Sequence, residues 1–430
     1  MLPPGSPPTL QQLLKDLDEA IEAGDQQAAT ILELAILRFL AAEAAEREEL
    51  ERSVRARVAR LGGGRSTVPS LPRPQDLFTH RGPAYLSGEP AEPAATVRKG
   101  ILYPVWFATN RLAASSGTGF QAEGRSAHVN WGRVDVHVPE THRFGETGSS
   151  YWQRMWRQYS LRPADDHLRI EAYARLSEAA FYEAVRQELA SAQAAGAEPH
   201  ALVFLHGYNT SFEEAAIRAA QIGCDLKVAG ATAFFSWPSA GSVQAYPADE
   251  AAIEASERAI TDFLVAFATE CGTAKVHLVA HSMGNRGLLR ALQRIAGNAE
   301  TRNQVRFGQI FLAAPDVDHD LFLDLAALYP AYGERTTLYT SRHDRAVHAS
   351  ARLHRAPRAG YYEPYTIAPH IDTIAVPDFD LDLLGHGYFA QAAALLHDLY
   401  DLMRHNQPPG QRQRLQHPSL PDGGFWQLQL

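Results

Sequence analysis

Lys275-Val-His-Leu-Val-Ala-His-Ser-Met-Gly-Asn285 is the stretch on which the reading of this chain turns. Val276, Leu278 and Val279 form a short apolar run, the pattern of a strand buried on both faces. From Gly287 onward, Leu288, Leu289, Leu292 and Ile295 recur along one side of a helix. Between the two stands His281-Ser282-Met283-Gly284. So tight a strand-to-helix turn needs small residues two places to either side of its tip, and Ala280 and Gly284 supply them. The Ser282 hydroxyl is thereby presented at the positive end of the helix, and Ser282 is the candidate nucleophile.

Working outward, apolar runs that read as strands recur at Ala201–Leu205, Thr232–Trp237, Val305–Leu312, Thr336–Thr340 and Thr373–Val376. Helix-periodic stretches lie between them, at about Glu213–Lys227, Glu250–Cys271, Gly287–Gly297 and Asp320–Leu328. One more precedes the series (Leu176–Ala192) and one closes it (Tyr388–Met403). This alternation predicts an α/β fold with a mostly parallel, doubly wound sheet. Ile101–Thr109 and Trp131–Val138 read as further strands, the second alternating as Val134, Val136 and Val138. The expected organisation is an N-terminal helical hairpin over 1–61, a Pro/Gly-rich linker over 62–98, a catalytic body over 99–405 and an extended tail over 406–430. The hairpin carries more apolar residues than two helices can hide in each other, which suits packing on the body or a homo-oligomer. Trp152, Met155, Trp156 and Tyr159 share one face of a short helix, a core stripe or a lid.

A serine nucleophile needs a base, an acid to orient that base, and donors for a developing oxyanion. After the run Ala201–Leu205 comes His206-Gly207-Tyr208-Asn209. Gly207 lets the backbone turn beneath a substrate, and the N–H groups of Tyr208 and Met283 are the expected oxyanion donors. His206, Gly207, Trp237, Tyr246 and His281 are expected to line the substrate pocket. Downstream stand His343, His348, His354, His370 and His386. Of these, His386 occupies a Gly-flanked loop just before the last helix, from which it can reach the elbow as the base. His343, His348 and His354 lack the four-residue spacing of paired zinc ligands, and neither metal nor cofactor is expected. Two carboxylates compete for the orienting role. Asp344 follows the run Thr336–Thr340, which should lie beside the final strand and so gives the shorter reach to His386. Asp316 follows Val305–Leu312 and is expected to cap the helix from Asp320.

Hydrophobic residues at 45% and charged residues at 21% describe an ordinary globular chain rather than a disordered one. A net charge of −9 argues against nucleic acid as a partner. Two cysteines, Cys224 and Cys271, make neither a disulfide framework nor a metal cluster, and they read as buried free thiols. The first residues have no basic n-region and no apolar h-region, and the run Ala28–Ala45 is broken by Glu33, Arg38 and Glu43. A soluble, cytoplasmic protein without a membrane span is the expectation.

Several motifs taken together resemble one bacterial family. They are Trp106-Phe-Ala-Thr-Asn-Arg111, His206-Gly-Tyr-Asn209, Phe235-Ser-Trp-Pro-Ser239, Tyr246 with Asp249, Ala280-His-Ser-Met-Gly-Asn285 and Gly385-His-Gly-Tyr-Phe389. The set is similar to the α/β-hydrolases of the family called DUF900, over about Ile101 to Met403. The resemblance implies an α/β-hydrolase fold and an esterase- or lipase-like serine hydrolase with Ser282, Asp344 and His386 as its triad. The aromatic residues near the elbow favour a small-molecule ester with an apolar acyl or aryl group. Acyl transfer by the same triad, or a non-catalytic oligomerising scaffold, are the alternatives.

Overall fold

A computed structural model describes residues 100–115, 119–140, 142, 168–240, 245–272, 275–341, 344–361, 365–376, 389–417 and 424–429. All belong to the unit Ala94–Leu430. The expected hairpin and linker, the expected aromatic stripe of Trp152 and Trp156, and residues His343 and His386 lie outside the described residues.

The strands are β1 (Gly100–Ala113), β2 (Phe120–Pro139), β3 (Arg169–Leu176), β4 (His200–Leu205), β5 (Gly230–Ser236), β6 (Lys275–His281), β7 (Phe307–Ala313), β8 (Gly333–Thr340), β9 (Ile371–Ala375), β10 (Leu415–Gln416) and β11 (Phe425–Leu428). The helices are α1 (Glu178–Ala194), α2 (Phe212–Asp225), α3 (Tyr246–Glu254), α4 (Glu257–Glu270), α5 (Gly284–Gly297), α6 (His319–Leu325), α7 (Leu328–Tyr332), α8 (Arg345–His354) and α9 (Phe389–His405). The strands form one sheet in the order β10-β11-β9-β8-β7-β6-β4-β5-β1-β2-β3. Every neighbouring pair from β11 to β1 is parallel, while β2, β3 and β10 are antiparallel additions at the edges. This is the mostly parallel α/β sheet that the alternation of strands and helices predicts.

The two-residue period of a strand explains why both faces need helices. Along β4, Ala201, Val203 and Leu205 pack into one core with α1, α4 and α5, whereas Leu202 and Phe204 pack into the other with α2 and α9. The buried central strands therefore read as continuous apolar runs.

Several boundaries differ from the sequence expectation. The stretch Glu250–Cys271 is two helices, α3 and α4, broken at Ser256, whose hydroxyl donates to the Ala252 carbonyl at 2.7 Å. Such back-bonding disturbs a helix, and the Asn110 amide, donating to the same hydroxyl at 2.9 Å, holds the break in place. Leu176 ends strand β3 rather than starting a helix, and Ser177 caps α1 instead. The run from Asp320 splits into α6 and α7. The tail does not merely cover the surface, since β10 and β11 extend the sheet beyond β9. Of the two free thiols, Cys271 is buried and Cys224 only half-buried. No helix among the described residues is long and apolar enough to cross a membrane.

Candidate active site

Ser282 stands between β6 and α5 with φ at +48°, in the left-handed region that residues other than glycine avoid. Strain of this kind persists only where the surroundings over-determine it. Here the Ser282 amide donates to the Ala313 carbonyl at 2.9 Å, and its own carbonyl accepts from the Asn285 and Asp316 amides at 3.1 and 3.2 Å. Asn285, fully buried, adds side-chain hydrogen bonds to the Ala280 and Ser282 carbonyls at 3.0 and 3.1 Å. The signal for this fastening in the sequence is a single polar residue, Asn285, three places past the tip, which neither the strand pattern nor the helix period singles out. Gly284 is required by space, because a Cβ there would lie 2.6 Å from the Leu205 and His206 carbonyl oxygens.

The loop after β4 rests directly on the elbow. A Cβ on Gly207 would stand 2.9 Å from Ser282 Cβ and 3.0 Å from His281 Nδ1. Ser282, His281, Gly207 and the half-buried Tyr208 are thus gathered at the carboxyl ends of β4 and β6, beside buried Met283 at the start of α5. The capping box at Ser211 and Glu214 opens α2 just beyond this loop.

His206 and Trp237, expected as pocket walls, occupy other positions. His206 is 1% exposed and Trp237 fully buried; their rings stack at 5.0 Å, and Trp237 Nε1 donates to the His206 carbonyl at 3.0 Å. Burial and the Arg111 charge lower the His206 pKa to about 3, so this imidazole is neutral and works as a fixture of the loop. The Tyr246 ring meets Tyr208 edge-to-face at 5.3 Å, while its hydroxyl belongs to a polar cluster around Asp316. Burial and that carboxylate push the Tyr246 hydroxyl above its ordinary range.

Both candidate acids are buried. Asp316 does not cap the following helix. Asp318 does, accepting from the Asp320 and Leu321 amides at 3.1 and 3.2 Å. The Asp316 carboxylate instead accepts from the Tyr246 and Ser350 hydroxyls and pairs with Arg286 at 3.4 Å and Arg358 at 3.6 Å. Asp344 follows β8, which pairs in parallel with β9, the strand that precedes His386 along the chain. One of its oxygens accepts from the Val347 amide at 2.9 Å and so caps α8. Among the remaining histidines, His348 stacks on Tyr361 at 5.0 Å and His354 pairs with Glu250 at 2.7 Å. His370 is an exposed turn residue with φ at +62°.

No curated protein matches the chain. A family model described as alpha/beta hydrolase of unknown function (DUF900) matches residues 178–404, from the first residue of α1 to the last turn of α9, and the chain belongs to that family.

Proposed function

We propose that the protein is a serine hydrolase of carboxylic esters that works through an acyl-enzyme. Ser282 attacks the ester carbonyl and His386 takes the hydroxyl proton. His386 returns it to the leaving alcohol and later activates water for deacylation. Asp344 orients His386, and the amides of Tyr208 and Met283 receive the oxyanion. The observation that carries the reading is the strained Ser282 backbone, at φ +48°, pressed against the Gly207 turn. Between the two carboxylates, Asp344 is favoured because two arginines, a tyrosine and a serine already engage Asp316.

The preferred substrate is an ester with an apolar acyl or aryl group, a reading supported by Tyr208 and the Tyr246 ring beside it. A fluorophosphonate probe tests the assignment. It should label the wild-type chain and not Ser282→Ala, and ester turnover should fall by several orders of magnitude in the variant. Labelling that survives the substitution would place the nucleophile elsewhere. A set of p-nitrophenyl esters from acetate to palmitate then reads acyl preference.

A further inference from the structure

Two charges that the triad chemistry does not use hold the loop carrying Tyr208. Arg111 and Asp249 are 0% and 1% exposed, and a buried charge is costly unless well engaged. Among the described residues, the Arg111 guanidinium spends its hydrogen bonds on neutral oxygens. Nε donates to Ser236 Oγ at 2.8 Å, Nη1 to the Ala122 and Ser239 carbonyls at 3.0 Å each, and Nη2 to the Thr210 carbonyl at 2.7 Å.

The Ser236 hydroxyl passes the influence on. It lies 3.3 Å from His206 Nε2, while His206 Nδ1 lies 2.7 Å from the Gly207 carbonyl oxygen. A carbonyl can only accept, so Nδ1 carries the proton, Nε2 accepts and the hydroxyl donates. The result is a one-directional chain from Arg111 through Ser236 and His206 to the Gly207 carbonyl. That carbonyl and the Tyr208 N–H belong to one planar, trans peptide unit. Fixing the first therefore fixes the direction of the second.

Asp249 holds the other flank. Its carboxylate accepts from the Asn209 amide at 3.1 Å, the Ser239 hydroxyl at 2.6 Å and the Ala240 amide at 2.8 Å. Asn209 is itself left-handed, with φ at +54°, a conformation that needs such a hold. Ser239 joins the two charges, its carbonyl on Arg111 and its hydroxyl on Asp249, and that hydroxyl also accepts from the Thr210 amide at 3.0 Å.

We propose that Arg111, acting through Ser236 and His206, and Asp249, acting on Asn209, are positioning residues that aim the Tyr208 N–H at the oxyanion formed above Ser282. The proposal rests on the serine-hydrolase reading. It also explains why charges that cost stability sit behind a catalytic loop: a donor that acts on the transition state must be held in place before the charge develops.

The test uses the purified full chain with p-nitrophenyl acetate, with kcat normalised to sites counted by a fluorophosphonate probe. Inhibition by a phenylboronic acid, whose tetrahedral adduct uses the same donors, is measured alongside. Asp249→Asn and Arg111→Met should lose about 10- to 100-fold in kcat, short of or equal to deleting an oxyanion donor. KM should stay nearly constant, boronate affinity should fall by the factor seen in kcat, and Arg111→Lys should recover part of both. Ser236→Ala, which leaves both charges in place, serves if those variants fail to fold, with a loss of about tenfold expected. A merely structural role would lower the melting temperature and the number of titratable sites but leave kcat per site and boronate affinity at wild-type values. That result in the folded variants overturns the proposal while the hydrolase reading stands. A wild-type protein that neither reacts with the probe nor turns over any ester removes the hydrolase reading, and the proposal falls with it.

Discussion

The amide of Asp316 donates to the carbonyl of Ser282 at 3.2 Å, so the residue that follows β7 hangs on the backbone of the elbow itself. Its carboxylate is enclosed with Arg286 and Arg358. Replacing it would take the buried counter-charge from both, leaving Arg286 with the half-buried Glu250 and Arg358 with Asp318 at 3.9 Å. Asp316→Asn should therefore lose about 3–5 kcal/mol of stability, the usual cost of removing one partner of a buried ion pair. Active-site-normalised kcat should stay close to wild type. Urea denaturation and titrated kinetics on the same preparation check both halves; a collapse of kcat in a stably folded variant would give Asp316 the orienting role.

Asp344→Asn isolates the opposite case. Asparagine caps a helix as well as aspartate, so the bond from the Val347 amide survives and α8 should keep its start. What is lost is the charge that would stabilise an imidazolium and hold its tautomer, and kcat should drop by up to about 10⁴. Near-normal turnover with an unchanged urea midpoint would remove Asp344 from the mechanism.

Gly207→Ala puts a methyl group where only 2.9 Å separates it from Ser282 Cβ. Backbone and elbow cannot both keep their places. Overpacking of this kind costs about 1–3 kcal/mol, and displacing the loop should lower kcat by about 100-fold or more, as loss of an oxyanion donor does. Wild-type kinetics in this variant would show that the loop has slack and that its contact with Ser282 is incidental.

The amino ends of β4 and β6 carry a pH dependence of their own. His277 is 1% exposed, accepts from the Gln309 amide at 2.9 Å and lies 2.9 Å from His200 Nδ1. Burial, then the charges of His200 and Lys275, lower its pKa to about 3. An unfolded histidine titrates near 6.5, so between about pH 6.5 and pH 3 the unfolded chain binds a proton that the folded chain refuses. Stability must fall as pH falls through that window, by about 1.4 kcal/mol per pH unit for each such histidine. His206, also lowered to about 3, contributes in the same sense. Urea midpoints from pH 7 to pH 4 should decline, and His277→Gln should flatten the slope; an unaltered slope in the variant would mean that His277 is already charged in the fold.

How much of this could be read in advance varies with how local the signal is. The elbow was legible because its whole cause lies in twenty-one consecutive residues, Lys275 to Ile295: an apolar run, two small residues around a serine, and an amphipathic helix. The central parallel strands were legible for the same reason. Strand β3 was not, since Arg169-Ile-Glu-Ala-Tyr-Ala-Arg-Leu176 sits at a sheet edge, where half-exposed residues dilute the alternation. Arg111 and Asp249 stood out only as parts of a family pattern. Their work is done on backbone groups as far as 128 residues away along the chain, and neither periodicity nor spacing encodes a partner of that kind. The Asp316 network escaped likewise, because it joins Tyr246, Arg286, Ser350 and Arg358 from four separate segments.

A boundary drawn by family membership cuts through a folding unit here. The match ends at residue 404, yet Arg412, buried at 5% exposure, donates to Asp398 on α9 at 2.8 Å and reaches Asp372 on β9 at 3.5 Å. Tyr339 on β8 donates to the same Asp398 at 2.7 Å. Those two carboxylates sit on the elements that anchor either end of the segment 377–388, where His386 lies. A single guanidinium from outside the matched region thus braces both abutments of that span. A protein excised at the edge of the match would retain each residue assigned a catalytic role, yet it would lose the guanidinium that joins the two supports and keep only the Tyr339 bond between the sheet and α9.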